Sequence, residues 1–235
     1  MSKKDGLKQL NRILAALPES EYQRFAPYLT PVDMALEIVL YEPQEQIETV
    51  YFPVSALISI ASTLEDGTTT EIGLIGSNGI VGLPVILGSG RSSNNIVVQV
   101  AGMAIKLSAE ILKKEFERGE MLQKLLLSYT EARLIQVSQQ AVCNRHHPIE
   151  EKLARWMLTV ADSLSSREFS LTQKFIADML GVRRSSVTVA IDTLQSAGMI
   201  RSSQDKITIL DRESLENTSC ECYFFLKQEF QSLLG

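Results

Sequence analysis

Apolar positions change their spacing several times along this chain, and each change predicts a different kind of element. From Leu7 to Leu29 they recur at helical intervals through Leu7, Leu10, Ile13, Leu14 and Leu17, then Tyr22, Phe25 and Leu29, with Pro18 breaking the run. That pattern predicts two short helices. Between Val32 and Leu107 the texture becomes short β-branched and aromatic runs separated by turn residues: EIVLY, TVYFPV, ALISIAS, TTTEIGLIG, NNIVVQVAG and AIKL. These predict an all-β domain, a sandwich or jelly-roll barrel. Asp66-Gly67 predicts a hairpin with a type I′ turn, whose positive φ glycine adopts freely.

Ser108 is placed to N-cap a helix starting at Ala109, and after Gly119 nothing interrupts a long helix from Glu120 to about Arg145. One heptad stripe on it, Met121, Leu125, Ser128, Ala132, Ile135, Gln139 and Val142, fits a dimer interface. A second stripe, Leu122, Leu126 and Tyr129, would pack on the barrel. A single buried helix in a monomer gives the same pattern. Pro148 closes the segment, and Ile149 to Leu164 is a further amphipathic helix.

Leu171 to Ile200 (LTQKFIADMLGVRRSSVTVAIDTLQSAGMI) reads as two helices around a glycine turn. Phe175, Ile176, Met179 and Leu180 face inward on the first, Gly181 turns the chain, and Val182 plugs the turn. Val187, Ile191 and Leu194 face inward on the second, leaving Arg184, Ser185, Thr188 and Val189 outward. Arginine can pair bidentately with guanine, hydroxyls reach bases or phosphates, and valine can touch a thymine methyl. RSSQDKITIL, turning at Gln204-Asp205, reads as a two-stranded wing. Any amphipathic helix pair joined at glycine shares the helical part of this pattern; the wing and the paired arginines add to it.

Charge and composition refine this picture. The 235-residue length fits two small domains, and the net charge of −5 is against nucleic-acid binding as a whole-chain property. Locally, Phe169 to Lys206 carries five basic residues (Lys174, Arg183, Arg184, Arg201, Lys206) against Asp178, Asp192 and Asp205, a charge of +2. The N-terminus lacks a secretory h-region and no window is apolar enough to span a membrane, so a soluble cytoplasmic protein is expected. Cys143, Cys220 and Cys222 are an odd number without an export signal, which argues for reduced thiols. Cys220 and Cys222 are expected to be exposed and idle. No nucleophile elbow, P-loop or paired-carboxylate motif is present, so no enzyme is expected.

LTQKFIADMLGVRRSSVT, set behind a β-barrel pattern and a long helix, resembles the signature of the Crp/Fnr superfamily of bacterial transcription regulators. VYFPVSALIS, CNRHHPIEEKLARWML, ITILDRESLE and CECY resemble one subgroup of it. The resemblance implies an α+β fold in three parts: a sensor barrel with N-terminal helices (residues 1–118), a dimerisation helix and hinge (119–147), and a winged helix-turn-helix (148–235). It implies phosphate contacts from Thr172, Gln173 and Arg183, and base-reading positions at Arg184, Ser185 and Val189, with Ser186 and Thr188 in the same interface. The founding member carries glutamate where Ser185 stands and arginine where Val189 stands, so a different operator follows.

The family's cyclic-nucleotide pocket maps onto Gly82, Leu83, Arg91 and Ser92, but Leu83 replaces the carboxylate that accepts from the ribose hydroxyl. An unpaired buried hydroxyl costs roughly 1 to 3 kcal/mol, so no cyclic nucleotide and no other cofactor is expected. No cysteine precedes Cys143, which is against the iron–sulfur cluster of oxygen-sensing relatives. Cys143 with His146 and His147 could hold a metal only with further ligands, and no metal is expected; the run is read as shaping the hinge. The resulting expectation is a homodimeric, double-stranded-DNA-binding transcription regulator on a palindromic operator, with RNA polymerase a candidate partner. Alternatives are a cyclic-nucleotide-dependent regulator, a nucleotide-binding adaptor without DNA affinity, and a metal- or thiol-dependent protein using Cys143 and His146.

Overall fold

The computed structural model describes residues 5–203 and 206–234. It opens with α1 (Asp5–Lys8), α2 (Arg12–Ala15), α3 (Glu19–Phe25) and a 3-10 turn at Ala26–Tyr28, where two helices were predicted. Asn11 splits the first run because its side chain accepts from the Ile13 and Leu14 amides and caps α2. The strands follow: β1 (Thr30–Met34), β2 (Val39–Tyr41), β3 (Thr49–Pro53), β4 (Leu57–Thr63), β5 (Thr69–Ile75), the short helix α4 (Pro84–Leu87), β6 (Asn95–Val100) and β7 (Gly102–Ser108).

They form two antiparallel sheets, ordered β1-β7-β3 and β2-β6-β4-β5. The inner faces of both, with Val50, Phe52 and Ile105 from one and Ile58, Ile96 and Val98 from the other, share a single core with the N-terminal helices. The described strands pair as two open sheets and not as the closed barrel expected from sequence. β1 carries Pro31 and lies at a sheet edge, the position where a missing N–H is tolerated. The Asp66-Gly67 hairpin is present, but only Gly67 has positive φ (83°) and its amide bonds the Leu64 carbonyl. The turn is therefore a tight turn ending in a left-handed glycine, not type I′.

α5 (Ala109–Phe116) begins where expected, although Ser108 makes no side-chain cap bond. α6 (Met121–His146) is the long helix. Its N-terminus is capped from a distance: the Glu21 carboxylate on α3 accepts from the Met121 and Leu122 amides at 3.1 and 3.0 Å. Arg24, one turn further on α3, pairs with Glu115 at 2.6 Å and with Glu120. Leu122, Leu126 and Tyr129 then enter the N-terminal core, as predicted.

The C-terminal unit comprises α7 (Ile149–Leu164), β8 (Glu168–Ser170), α8 (Gln173–Leu180), α9 (Arg184–Ser196), β9 (Ile200–Ser203), β10 (Lys206–Ile209), α10 (Arg212–Thr218) and α11 (Cys222–Leu234). Its sheet is ordered β8-β10-β9. Leu153, Trp156 and Met157 of α7 share a core with α8, α9 and the wing strands, and Leu57 and Leu74 of the β2-β6-β4-β5 sheet belong to that core too. α11 folds back along α6, so that Phe230 meets the Tyr129 ring edge to face at 6.5 Å.

Where these parts meet, Glu71 of β5 is buried beside Ser59. Desolvation pushes its carboxyl up to about 7, opposed by Arg155 and Trp156 of α7, by Ser59 and by Arg133 of α6. The unfolded chain releases this proton near the ordinary value of 4.5, so between 4.5 and 7 the folded state binds more protons. Stability attributable to this group therefore falls as pH rises through that window and is level above it, a loss on the order of 3 kcal/mol. Urea unfolding at about pH 5 and about pH 7.5 checks this: Glu71→Gln should abolish much of the pH difference, and an unchanged slope would mean that Glu71 is ionised throughout.

Candidate nucleic-acid interface

The helix-turn-helix is built from local rules. Thr172 Oγ1 accepts from the Phe175 amide at 3.1 Å and starts α8. Gly181, at φ 62°, ends it in the left-handed conformation that glycine adopts without a Cβ penalty. Val187, Ala190, Ile191 and Leu194 of α9 are buried against Ile176, Ala177, Met179 and Leu180 of α8, while Val182 is half-buried in the turn. The inward set read from sequence is observed except that Phe175 is half-buried, and Ala177 and Ala190 join it.

The outward set is equally clear. Arg183, Arg184 and Ser185 are exposed, and Val189 is 61% exposed, which is unusual for an aliphatic residue next to a core helix. Neither arginine has an ion-pair partner among the described residues. Both stand at the N-terminal, electropositive end of α9. Ser186 and Thr188 are half-buried. Thr188 Oγ1 donates to Gln173 Oε1 at 2.9 Å, which fixes one outward hydroxyl against α8 and orients Gln173.

Beyond the predicted set, Gln195 Oε1 accepts from the Ser202 amide at 2.7 Å and ties α9 to the wing. Lys206 of the wing pairs with Glu168 of β8 at 2.6 Å, so it is partly neutralised. Arg201 is exposed on β9. The short strand β8 was not predicted; the wing strands β9 and β10 were, and their predicted turn at Gln204-Asp205 lies outside the described residues.

The four predicted effector-pocket positions carry local structural duties. Gly82 has φ 114°, and a Cβ there would lie 2.6 Å from Val50 Cγ1, so backbone and packing both require glycine. Leu83 is half-buried against the sensor core. Arg91 Nη1 donates to the Gln44 carbonyl at 2.8 Å, and the buried Ser92 hydroxyl donates to the Asn94 carbonyl at 2.7 Å. A cleft of about 840 Å³ lies elsewhere, between α2, α6, α7 and α11, where Arg212, Asp162 and Tyr223 form a closed hydrogen-bonded triangle.

On α6 the predicted pairing stripe is only partly free. Met121 and Val142 are exposed and Leu125, Ser128 and Ile135 are half-buried, but Ala132 is fully covered within the chain. Gln139 is half-buried and donates to Cys222 Sγ at 3.1 Å. The free aliphatic face runs instead through Leu127, Leu134 and Ala141, seven residues apart, flanked by Val137 and Val142. α11 covers part of the predicted stripe where its Cys222 meets Gln139.

The cysteines also depart from expectation. Cys220 and Cys222 are buried and not exposed, and they converge on Cys143 and His147. His146 faces solvent, so it is His147 that joins the thiols. A hydrogen bond with Cys220 holds the Cys143 thiol below the ordinary cysteine range against desolvation, with Arg155 and His147 acting in the same direction.

Residues 151–218 match the family model of the Crp-like helix-turn-helix domain. The Global nitrogen regulator of Nostoc sp. (strain PCC 7120) is 22% identical over 181 residues, 72% of this chain and 80% of that protein. Among solved structures, FixK2 from Bradyrhizobium japonicum superposes with a TM-score of 0.70 at 19% identity, covering 82% of this chain and 98% of that one. A Crp/Fnr-family regulator from Eubacterium rectale gives 0.68 at 17% identity, covering 88% and 96%. The two structural likenesses are likenesses of fold, and they extend across the sensor sheets, α6 and the C-terminal unit.

The fold and the matched domain define a DNA-binding transcription regulator with a winged helix-turn-helix. Within that class, residues 151–218 are a Crp-like helix-turn-helix domain, and the chain as a whole is similar to regulators of the Crp/Fnr family. Among the described residues, no helix is long and apolar enough to cross a membrane.

Because Thr172 caps α8, Thr172→Ala should destabilise the chain by about 1 kcal/mol while Thr172→Ser stays near wild type. Thermal unfolding of the three proteins checks this, and an unaffected Thr172→Ala would mean that the hydroxyl serves only an external contact.

Proposed function

We propose that this protein acts as a cytoplasmic homodimer on a palindromic operator, with the N-terminal ends of two α9 helices entering successive major grooves about 34 Å apart. The observation carrying this reading is the division of α9 into a fully buried face and an exposed face that begins with Arg183 and Arg184 and continues through Ser185 and Val189. Arg184, Ser185 and Val189 read base edges. Thr172, Gln173 and Arg183 contact phosphates, and Ser186 and Thr188 complete the interface. Residues 1–118 form the sensing part, 119–147 the pairing helix and hinge, and 148–235 the DNA-binding part.

The chains pair through the free face of α6 at Leu127, Leu134 and Ala141, whose seven-residue spacing is that of a coiled-coil seam. The sensor responds to something other than a cyclic nucleotide: Leu83 offers no acceptor for a ribose hydroxyl, and the hydrogen bonds of Arg91 and Ser92 are spent on the protein's own carbonyls. RNA polymerase is the further partner a regulator of this class meets at its promoter.

Selection of sites from random DNA by the purified protein, without added ligand, tests the reading, and a palindromic consensus is expected. On that site Arg184→Ala should cost about 1 to 3 kcal/mol and relax specificity at a single base pair, whereas Arg183→Ala weakens specific and random DNA alike. Equal losses for both variants would remove Arg184 from base reading. Placing a charge in the seam, Leu134→Glu, should give a folded monomer by analytical ultracentrifugation with much weakened operator binding; a persistent dimer would put the interface elsewhere.

A further inference from the structure

Cys143 and His147 belong to the last turn and C-cap of α6, while Cys220 and Cys222 flank the turn between α10 and α11. Chain folding brings their ligand atoms to within 4.8 Å of one another. Cys143 Sγ lies 3.6 Å from Cys220 Sγ, and Cys222 Sγ lies 3.5 Å from His147 Nδ1. Four ligands around one zinc ion, with Zn–S near 2.3 Å and Zn–N near 2.05 Å at tetrahedral angles, stand about 3.8 Å apart for two sulfurs and about 3.6 Å for sulfur and nitrogen. These two spacings are those of such a tetrahedron, and the remaining ligand pairs, all within 4.8 Å, need only a small closure to reach it.

We propose that Cys143, His147, Cys220 and Cys222 form a structural zinc site of the Cys3His type that clips the DNA-binding unit to the end of α6.

The surroundings are those of a ligand shell. His147 Nε2 lies 3.2 Å from Glu221 Oε2, so the imidazole is held on its far side by a carboxylate while Nδ1 faces the sulfurs. Gln139 Nε2 donates to Cys222 Sγ at 3.1 Å, a bond that favours thiolate over thiol. Three thiolates and one Zn²⁺ leave a single negative charge. Arg155 is buried nearby, contributes its field to Cys143 and Cys220, and keeps an Nε–H without a partner among the described residues. Thiolate-rich, four-coordinate sites select zinc among the common divalent ions, and a site with all four positions filled by protein is structural, not catalytic.

A disulfide accounts for less. Its sulfurs sit about 2.05 Å apart, which would draw Cys143 and Cys220 together and leave Cys222, His147 and Glu221 without a reason to converge. An iron–sulfur cluster spreads its four ligands over at least two irons, and ligands on different irons stand farther apart than ligands of one ion.

The experiment uses full-length protein purified without an affinity tag, under reducing and anaerobic conditions, with metals measured by plasma mass spectrometry. One zinc per chain is expected to survive gel filtration. Replacing zinc by cobalt should give the visible spectrum of a tetrahedral thiolate complex. Cys143→Ser, Cys220→Ser and His147→Ala should each lose metal, His146→Ala should keep it, and Glu221→Ala should weaken affinity by about 10- to 100-fold with all four ligands intact. Wild-type protein that is metal-free, with three freely titrating thiols and no cobalt spectrum, overturns the proposal. So does a Cys143–Cys220 disulfide found by intact mass, or bound iron with acid-labile sulfide. Because these readouts are made on the wild type, poorly folding variants do not decide the outcome.

Discussion

The arrangement of this protein depends on how α6 is fixed to the edge of the sensor sheet. β5 is the last strand of its sheet, and edge carbonyls left bare inside a protein are costly. Two long polar side chains from α6 reach them: Arg133 Nη1 donates to the Leu74 carbonyl at 2.8 Å, and Gln140 Nε2 to the Glu71 carbonyl at 2.9 Å. Gly73 makes room for this crossing, since a Cβ there would lie 2.5 Å from Arg133 Nη2. The first half of α6 is held by Leu122, Leu126 and Tyr129, but between Ala132 and Cys143 its buried side chains are Arg133, Gln136 and Gln140. Each such bond contributes roughly 1 to 3 kcal/mol, comparable to one buried aliphatic side chain. Polar contacts of fixed geometry therefore set the angle of the distal half of the helix.

That angle matters because both ends of α6 are held from outside. Glu21 caps its first turn from α3, and the cluster at Cys143 and His147 meets the turn before α11 at the other end. α11 then runs back along the helix to Tyr129. The DNA-binding unit thus touches the rest of the chain through α11 on α6, through Met179 against Ser59, through Arg155 and Trp156 beside Glu71, and through Leu57 and Leu74 within the core around α7. A signal acting on the sensor shifts the regulator only if it changes the free energy of some of these contacts more in one arrangement than in another.

Periodicity made the helix-turn-helix legible almost residue by residue, because a short motif with a glycine turn and a compact core leaves little choice of which face is inside. The strands were mostly legible for the same reason, except β1, which carries Pro31 at a sheet edge, and the three-residue β8. The stripe of α6 expected to pair is only partly free within the chain, since Ala132 is buried. Arg133 and Gln140 are buried because they reach the Leu74 and Glu71 carbonyls at the edge of β5, while the apolar Leu127 and Leu134 are left exposed. Neither partner is local in sequence, so no local pattern could announce it.

The cysteine cluster shows the same limit from the opposite side. Cys143 and His147 lie four residues apart and Cys220 and Cys222 two apart, each pair being half of a ligand set, and 77 residues separate Cys143 from Cys220. A signal was nevertheless present: both short runs contain the residue types a soft metal needs, at spacings that put two ligands on one side of a turn. The winged unit places α10 and α11 at its end, and α11 returns along α6, so the two halves necessarily meet at the α6–α7 junction. The junction that sets the position of α9 relative to α6 is thus also the junction where the thiols converge.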